Sequence, residues 1–94
     1  MRIGILTILI HLPGCSSLKE KRSRIKPLQE RLKQQFNISV AEIGHQDVHQ
    51  NAQIGIAVIN SDARIIDAYL ANILQWIESH FPDYYIQEQK VEIL

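Results

Sequence analysis

The 94-residue chain has one cysteine, Cys15, and only four glycines and three prolines. One thiol cannot form a disulfide within the chain or supply the several cysteines of a structural zinc site, so a reducing, cytoplasmic compartment is expected. The scarcity of Gly and Pro beside 46% hydrophobic residues excludes disordered and collagen-like classes. This length allows one hydrophobic core, which predicts a single domain over residues 1–94.

Long apolar runs are also missing. No stretch approaches the roughly 18 apolar residues of a membrane-spanning helix, so no membrane partner is expected. The apolar run Ile3–Leu12, preceded by Arg2 and followed by Pro13, Gly14 and Cys15, imitates a lipoprotein signal. A single preceding arginine, the minimal length of the run and the position of Pro13 argue against cleavage. We therefore interpret the run as a strand.

An excess of either charge is lacking overall, because the net charge is zero. The distribution is nevertheless uneven. Residues 1–36 hold eight Lys and Arg against two Glu, which gives +6 and leaves −6 for the rest of the chain. This asymmetry indicates a basic surface for nucleic acid or another anion, although a solvated helix face gives the same count.

Hydrophobic periodicity divides the chain into six elements. The β-branched run Ile3–Ile10 predicts the first strand. Ser17 to Glu20 fits a capping box and predicts a helix over 18–36, which Pro27 should bend near Ser23 without ending it. The elements expected after it are a strand over 38–43, a strand over 53–59, a helix begun by Asp62 and reaching Ser79, and a strand over 84–94.

The order βαββαβ predicts an α+β fold, the ferredoxin-like sandwich. Short, right-handed connections place the strands of its four-stranded antiparallel sheet in the order 4-1-3-2, with both helices on one face. Helix 1 then begins at the same edge of the sheet as the hairpin tip between strands 2 and 3. We name this edge the rim. The side chains expected there are His11, Cys15, Lys19, Lys21, Arg22, His45, Asp47, His49 and His80.

Five cations fall in the first half of helix 1, where the helix dipole is positive and each terminal cation costs about 0.3–1 kcal/mol. Folding alone favours acidic residues there, so the repeated violation indicates a functional surface, with a solvated helix face as the alternative. Lys21 differs from the others because it points within the apolar arc, so its ammonium must extend to the rim and face the hairpin tip. The five are Lys19, Lys21, Arg22, Arg24 and Lys26.

The rim residues also allow weaker chemical hypotheses. His11, His45 and His49 are a poor metal signal, because spacing in a loop fixes no geometry and the nearby cations repel a divalent ion. No metal, cofactor or catalytic residue is therefore expected. Cys15 beside a helix start is a hypothesis for a reactive thiol. The predicted anion-binding site comprises Lys19, Lys21, Arg22, Arg24, Lys26, His45, Gln46 and Asp47.

Strand 1 is apolar on both sides, with Ile3, Ile5 and Leu9 alternating with Leu6, Ile8 and Ile10. Two helices on one face leave the other face of the sheet uncovered, and an open antiparallel face is ordinarily polar. The pattern predicts self-association as a homodimer, unless the short strands simply tolerate aliphatic residues.

Several segments together resemble the YlxP-like family of small bacterial proteins, a domain of unknown function. They are His11-Leu12-Pro13-Gly14, the run from Ser17 to Ser23, the run from Phe36 to Asp47, and the closing Val91-Glu92-Ile93-Leu94. The resemblance spans essentially the whole chain and implies the ferredoxin-like fold. It also implies a tendency to be encoded beside genes for translation initiation and ribosome maturation, and it carries over no catalytic residues.

These observations favour a non-enzymatic, RNA- or ribosome-associated accessory protein that binds a polyanion through helix 1 and the hairpin tip, with structured RNA or a ribosomal subunit as partner. Strands 1 and 3 lack the aromatic residues with which an RNA-recognition motif stacks bases. The alternative is a small-anion sensor or enzyme that uses His45 and Asp47. A closed pocket of several hundred Å³ around His45 would favour this alternative, and a shallow exposed rim would favour polymer binding.

Overall fold

The computed structural model describes residues 1–94 and contains the six predicted elements in the predicted order. β3 begins two residues earlier than the sequence pattern predicts, because Asn51 already pairs with His11. The elements are β1 (Arg2–His11), α1 (Leu18–Gln35), β2 (Ser39–Gly44), β3 (Asn51–Asn60), α2 (Ala63–His80) and β4 (Tyr85–Ile93).

The four strands form one antiparallel sheet in the order β2-β3-β1-β4, which is the predicted order 4-1-3-2 seen from the opposite edge. β1 and β3 pair without interruption from Arg2 opposite Asn60 to His11 opposite Asn51. The pairing of β1 with β4 shifts at Leu9 and Ile10. The α+β, ferredoxin-like fold is therefore confirmed.

The core lies between the two helices and one face of the sheet. Alternate strand residues are buried, because successive side chains of a strand point to opposite faces. Gly4 is required for close packing, since a Cβ atom there would collide with the side chain of Ile66. The principal buried residues are Leu6, Ile8 and Ile10 of β1, Ile54 and Ile56 of β3, Ile25, Leu28 and Leu32 of α1, and Ile66, Leu70, Ile73 and Ile77 of α2.

Both helices bury a single stripe of residues spaced three or four apart, as expected for helices that cover a sheet. α1 continues through Pro27 without ending, as predicted, while the bend near Ser23 stays a prediction. Neither helix combines the length and the apolar character needed to cross a membrane.

The opposite side of the sheet, which we name the open face, has no helix over it. Ile3, Ile5 and Leu9 lie on this face, as the alternation of β1 predicts. Residues opposite one another in antiparallel strands share a face, which adds Ala57 and Ile59 of β3. The large aliphatic side chain of Ile59 is 63% exposed. The open face is therefore apolar over its central strands.

Candidate functional site

The rim forms where β1 ends, α1 begins, β2 and β3 are joined, α2 ends and β4 begins. The antiparallel sheet order brings these chain segments to one edge, as the topology predicts. His11 Nδ1 lies 3.1 Å from Asn51 Oδ1, so the end of β1 is joined to the start of β3. The first half of α1 and the hairpin tip therefore lie next to each other.

The start of α1 is capped by Ser17 as predicted, but Glu20 bonds to Ser16, one residue before the cap, rather than to the N–H of Ser17 as in a complete capping box. Ser17 Oγ accepts a hydrogen bond from the backbone N–H of Glu20 at 3.1 Å. The Glu20 carboxylate accepts bonds from the backbone N–H of Ser16, at 2.8 Å, and from its hydroxyl, at 3.0 Å. These bonds favour the charged form, so the pKa of Glu20 is lowered from its ordinary value of 4.5. Glu20 thus caps the helix.

Lys21 is the buried cation of α1, with 1% of its surface exposed. Its ammonium donates to the backbone carbonyls of His45 at 2.6 Å, Val48 at 2.9 Å and Asn51 at 3.0 Å. Three bonds use every N–H that an ammonium has. The prediction that Lys21 faces the hairpin tip is confirmed, but its ammonium is enclosed and cannot contact a bound anion.

Glu42 completes the surroundings of the Lys21 ammonium. Its Oε2 lies 2.8 Å from Lys21 Nζ, and the contact is an ion pair rather than an aligned hydrogen bond, since this oxygen has no hydrogen-bond partner. Sequence reasoning missed Glu42. The signal was available, because period-two alternation places it on the helix-covered side of β2 together with Val40.

Lys19, Arg22 and Lys26 are exposed on the outer side of α1. The ion pairs of the chain are those of Lys21 with Glu42, Arg64 with Asp62 and Lys90 with Glu92, so none of these three cations has a carboxylate partner. We name Lys19, Arg22 and Lys26 the outer cations. They are the cations of the predicted site that face solvent and have no carboxylate partner.

Arg24 is intermediate between the buried Lys21 and the exposed outer cations. Its guanidinium sits over the ring of Tyr84 at 5.1 Å from the ring centre, and its Nη1 donates to the carbonyl of Pro13 at 3.4 Å. The hydroxyl of Tyr84 in turn donates to the Arg24 carbonyl at 2.8 Å. Arg24 therefore ties α1 to the chain just before β4, and it is only half-buried.

A second arginine of α1 makes contacts that sequence reasoning missed. Arg31 lies over Trp76, at 5.3 Å from the ring centre, and over Phe81, at 5.0 Å. Trp76 also stacks on His80 with ring centres 4.5 Å apart. The spacing of Arg24 and Arg31, two helical turns, was the signal that both lie on one side of α1.

The hairpin tip carries the remaining predicted residues. His45, Gln46 and Asp47 are all exposed. His45 has φ of 60°, an uncommon conformation for a residue other than glycine, and its carbonyl accepts a bond from the N–H of Val48 at 3.0 Å. The groove at the tip, about 380 Å³, is lined by Asp47 to Asn51 and does not include His45.

The other chemical hypotheses gain no geometry at the rim. No group of three His, Cys, Asp or Glu side chains is placed to hold a metal ion. Cys15 is 1% exposed, and its Sγ donates to the carbonyl of Ser17 at 3.6 Å. The thiol is therefore packed in the core, which does not favour its reactivity.

Comparison with known proteins identifies the family of the chain. Residues 3–90 match the family described as "Protein of unknown function (DUF503)". A Bacillus subtilis (strain 168) protein, "Uncharacterized protein YlxP", is 40% identical over 67 residues, which cover 71% of this chain and 72% of that protein. The resemblance to YlxP-like proteins is thus confirmed, and the chain belongs to the DUF503 family.

Proposed function

We propose that the protein is a cytoplasmic accessory protein that binds structured RNA, in a ribosomal context, through the outer cations and the hairpin tip. The observation that carries the proposal is the exposure of Lys19, Arg22 and Lys26 at a helix start without any carboxylate partner. Lys19 lies in the first turn of α1, where a cation opposes the helix dipole, and none of the three cations makes an ion pair that would stabilise the fold. A row of phosphates is a partner that compensates for this cost.

The outer cations have a spacing suited to a polymer. They are separated by three and four residues, so they lie along one side of α1 over about 10 Å. No carboxylate lies within ion-pair distance of these three cations, and the nearby Glu42 is paired with Lys21. A polyanion approaching this side of α1 meets three adjacent positive charges.

The hairpin tip adds hydrogen-bonding side chains, the neutral Gln46 and the anionic Asp47, beside these charges. Gln46 and Asp47 are exposed polar side chains next to the helix start, and the backbone that carries them is fixed by the Lys21 ammonium. Phosphate contacts position a nucleic acid, whereas polar contacts to bases and riboses select among sequences. The tip therefore supplies selectivity in this proposal, and α1 supplies affinity.

The alternative of a small-anion sensor or enzyme needs an enclosed site at His45 and Asp47. Both side chains are exposed, and the tip groove leaves His45 out. An exposed rim suits a polymer better than a small substrate, which usually enters a concave pocket. These observations favour the polyanion proposal.

The experiment compares two double variants with the same change in net charge. Arg22→Gln with Lys26→Gln removes two outer cations, and Arg2→Gln with Arg64→Gln removes two exposed cations on other elements. Binding to a labelled RNA hairpin and to purified ribosomal subunits is measured by fluorescence anisotropy and co-sedimentation at several salt concentrations. Each phosphate contact contributes about 0.7–0.9 to the log–log salt slope, so the first variant should reduce that slope by roughly 1.4–1.8.

The control variant should bind almost as tightly as the parent chain, because its cations lie outside the rim. Equal affinity and equal salt slope for the rim variant and the parent would contradict the proposal. His45→Ala should reduce RNA affinity slightly and independently of salt, because its contribution here is polar rather than ionic.

A further inference from the structure

The open face is apolar over β1 and β3, and no helix of the chain covers it. Ile43 of β2 is 51% exposed and leans over Gly55, while Ile59 of β3 is 63% exposed. A groove of about 300 Å³ runs along Ile5, Ala41, Ile43, Gly55 and Ala57. Solvated antiparallel faces normally alternate to polar residues, so this face indicates an interface.

The face is also large enough for a specific interface. Four strands about 4.8 Å apart and roughly 30 Å long present roughly 550–600 Å². Two such faces in contact bury roughly 1,100–1,200 Å², which exceeds the approximately 1,000 Å² expected of a specific protein interface. The face of a second copy matches this area without any additional element.

The apolar rows of the open face have a common centre. The row Ile3, Ile5, Thr7, Leu9 is centred at the level of Leu6, and the β3 row from Gln53 to Ile59 is centred at Ile56, which pairs with Leu6. On β4 this level is Val91, with Lys90 and Glu92 on either side of it. Since residues adjacent to Val91 point away from the helices, Lys90 and Glu92 flank the apolar rows on the open face.

We propose that this face joins two copies of the chain in a homodimer, with β1 antiparallel to β1 of the second copy and the two-fold axis crossing the strands at the level of Leu6. In this arrangement the apolar row of β1 packs on the β1 row of the second copy, and the β3 row packs on the β3 row of the second copy. It also brings Lys90 opposite Glu92 of the second copy, and Glu92 opposite Lys90 of the second copy. One symmetry operation thus matches both the apolar centre and the charged edge.

If β1 instead ran parallel to β1 of the second copy, the charged residues of β4 would have no partners of opposite charge. This parallel arrangement lays β4 over β2 of the second copy, where Ser39 and Ala41 offer no charge to Lys90 or Glu92. It also places the two basic rims side by side, where their outer cations repel one another. Charge complementarity therefore selects the antiparallel dimer, and this conclusion does not depend on RNA binding.

The first test places a charge on the face without weakening the monomer. Thr7 lies opposite Lys90 on the open face, so Thr7→Glu gains an attractive cross-strand neighbour in the single chain. In the dimer the added carboxylates are buried against apolar side chains, which should weaken dimerisation at least about 100-fold. The matched control is Ala71→Glu, at an exposed position of α2. Sedimentation equilibrium should report a dimeric parent and control and a monomeric Thr7→Glu variant.

The second test determines the orientation. Lys90→Glu and Glu92→Lys each place like charges opposite one another, which should weaken either homodimer about 10-fold. Mixed in equal amounts, the two variants restore both ion pairs between chains, so native mass spectrometry should show more heterodimer than random mixing predicts. An ion pair within one chain cannot produce this preference.

Three results would overturn the proposal. A parent chain that is monomeric at micromolar concentration would show that the dimer does not form. A Thr7→Glu variant as dimeric as the parent would place the interface elsewhere. Heterodimers no more abundant than random mixing predicts would exclude the antiparallel arrangement.

Discussion

The inner and outer sides of α1 both carry cations, and the two sides use them differently. Lys21, on the inner side, donates to three backbone carbonyls and pairs with Glu42. Arg22 and Lys26, on the outer side, are exposed and pair with no carboxylate. Neighbouring residues of the same charge thus belong to the fold in one case and to the proposed binding surface in the other.

The comparison teaches that a cluster of cations in a sequence is not one functional unit. A helix turns about 100° per residue, so Lys21 and Arg22 point in different directions. Burial makes the acceptors around Lys21 essential, because a buried charge or carbonyl without a partner is costly. Arg22 is exposed and hydrated, so the fold is stable without a protein partner for its charge.

The largest expected effect comes from Lys21→Met, which keeps the length of the side chain and removes the ammonium. Three carbonyls lose their shared donor and the Glu42 carboxylate loses its counter-ion. Removing one partner of a buried pair costs about 3–5 kcal/mol. Because Glu42 is 20% exposed, we expect a loss of about 3 kcal/mol in the free energy of unfolding, measured by urea denaturation.

The control for this change is Lys26→Met, on the exposed side of the same helix. It should alter the free energy of unfolding by less than about 0.5 kcal/mol. Equal losses for the two variants would contradict the contrast between the inner and outer sides.

Glu42→Gln should have an intermediate effect. The amide cannot form an ion pair with the ammonium, while the three carbonyl bonds of Lys21 remain. We expect a loss of about 1–2 kcal/mol, because hydrogen bonds and pairs with a charged partner contribute on this scale. Urea denaturation beside Glu30→Gln, an exposed position of α1, checks this value. A loss no larger than that of the control would mean that the carbonyls alone hold Lys21.

A smaller effect depends on pH and on Glu20. Its pKa is lowered in the folded chain by the bonds from Ser16, so its contribution to stability is complete above the ordinary value of 4.5 and disappears as the pH falls through the folded value. Stability should therefore decrease with acidification below about pH 4.5, and Glu20→Gln should decrease less. Urea denaturation of both chains at pH values on either side checks this, and parallel curves would rule the contribution out.

The smallest effect on stability is expected for the double variant Arg22→Gln with Lys26→Gln. Both side chains are exposed, pair with no carboxylate and lie beyond the first turn of α1, so the free energy of unfolding should change by less than about 0.5 kcal/mol. Thermal denaturation followed by circular dichroism measures it. A loss above about 1 kcal/mol would show that the outer cations support the fold.

The sequence predicts elements and topology well because both follow from local pattern. The two apolar sides of β1, the capping residues Ser17 and Glu20, and the order of the elements determine the sheet. Even the direction of Lys21 follows from helical geometry. Its enclosure does not, because its acceptors lie 24, 27 and 30 residues later in the chain.

Contacts between distant segments account for the other missing details of the site. The Tyr84 hydroxyl donates to the Arg24 carbonyl across 60 residues, and no periodic pattern encodes such a pairing. Arg24 was therefore grouped with freely exposed cations, although it packs on an aromatic ring. Local pattern gives the side of a helix on which a residue lies, whereas the partner comes from the assembled fold.

The Lys21 ammonium, which three carbonyls of the hairpin tip share as donor, affects how the tip unfolds locally. The tip cannot separate from α1 without leaving the buried Lys21 ammonium and its carbonyl acceptors unpaired, so the two segments should unfold locally as one cooperative unit. The Val48 amide, which bonds to the His45 carbonyl, should then exchange with deuterated solvent through that joint opening rather than by fraying of a surface loop. An exposed loop held in this way keeps its shape before any partner arrives, which lowers the entropy lost on binding.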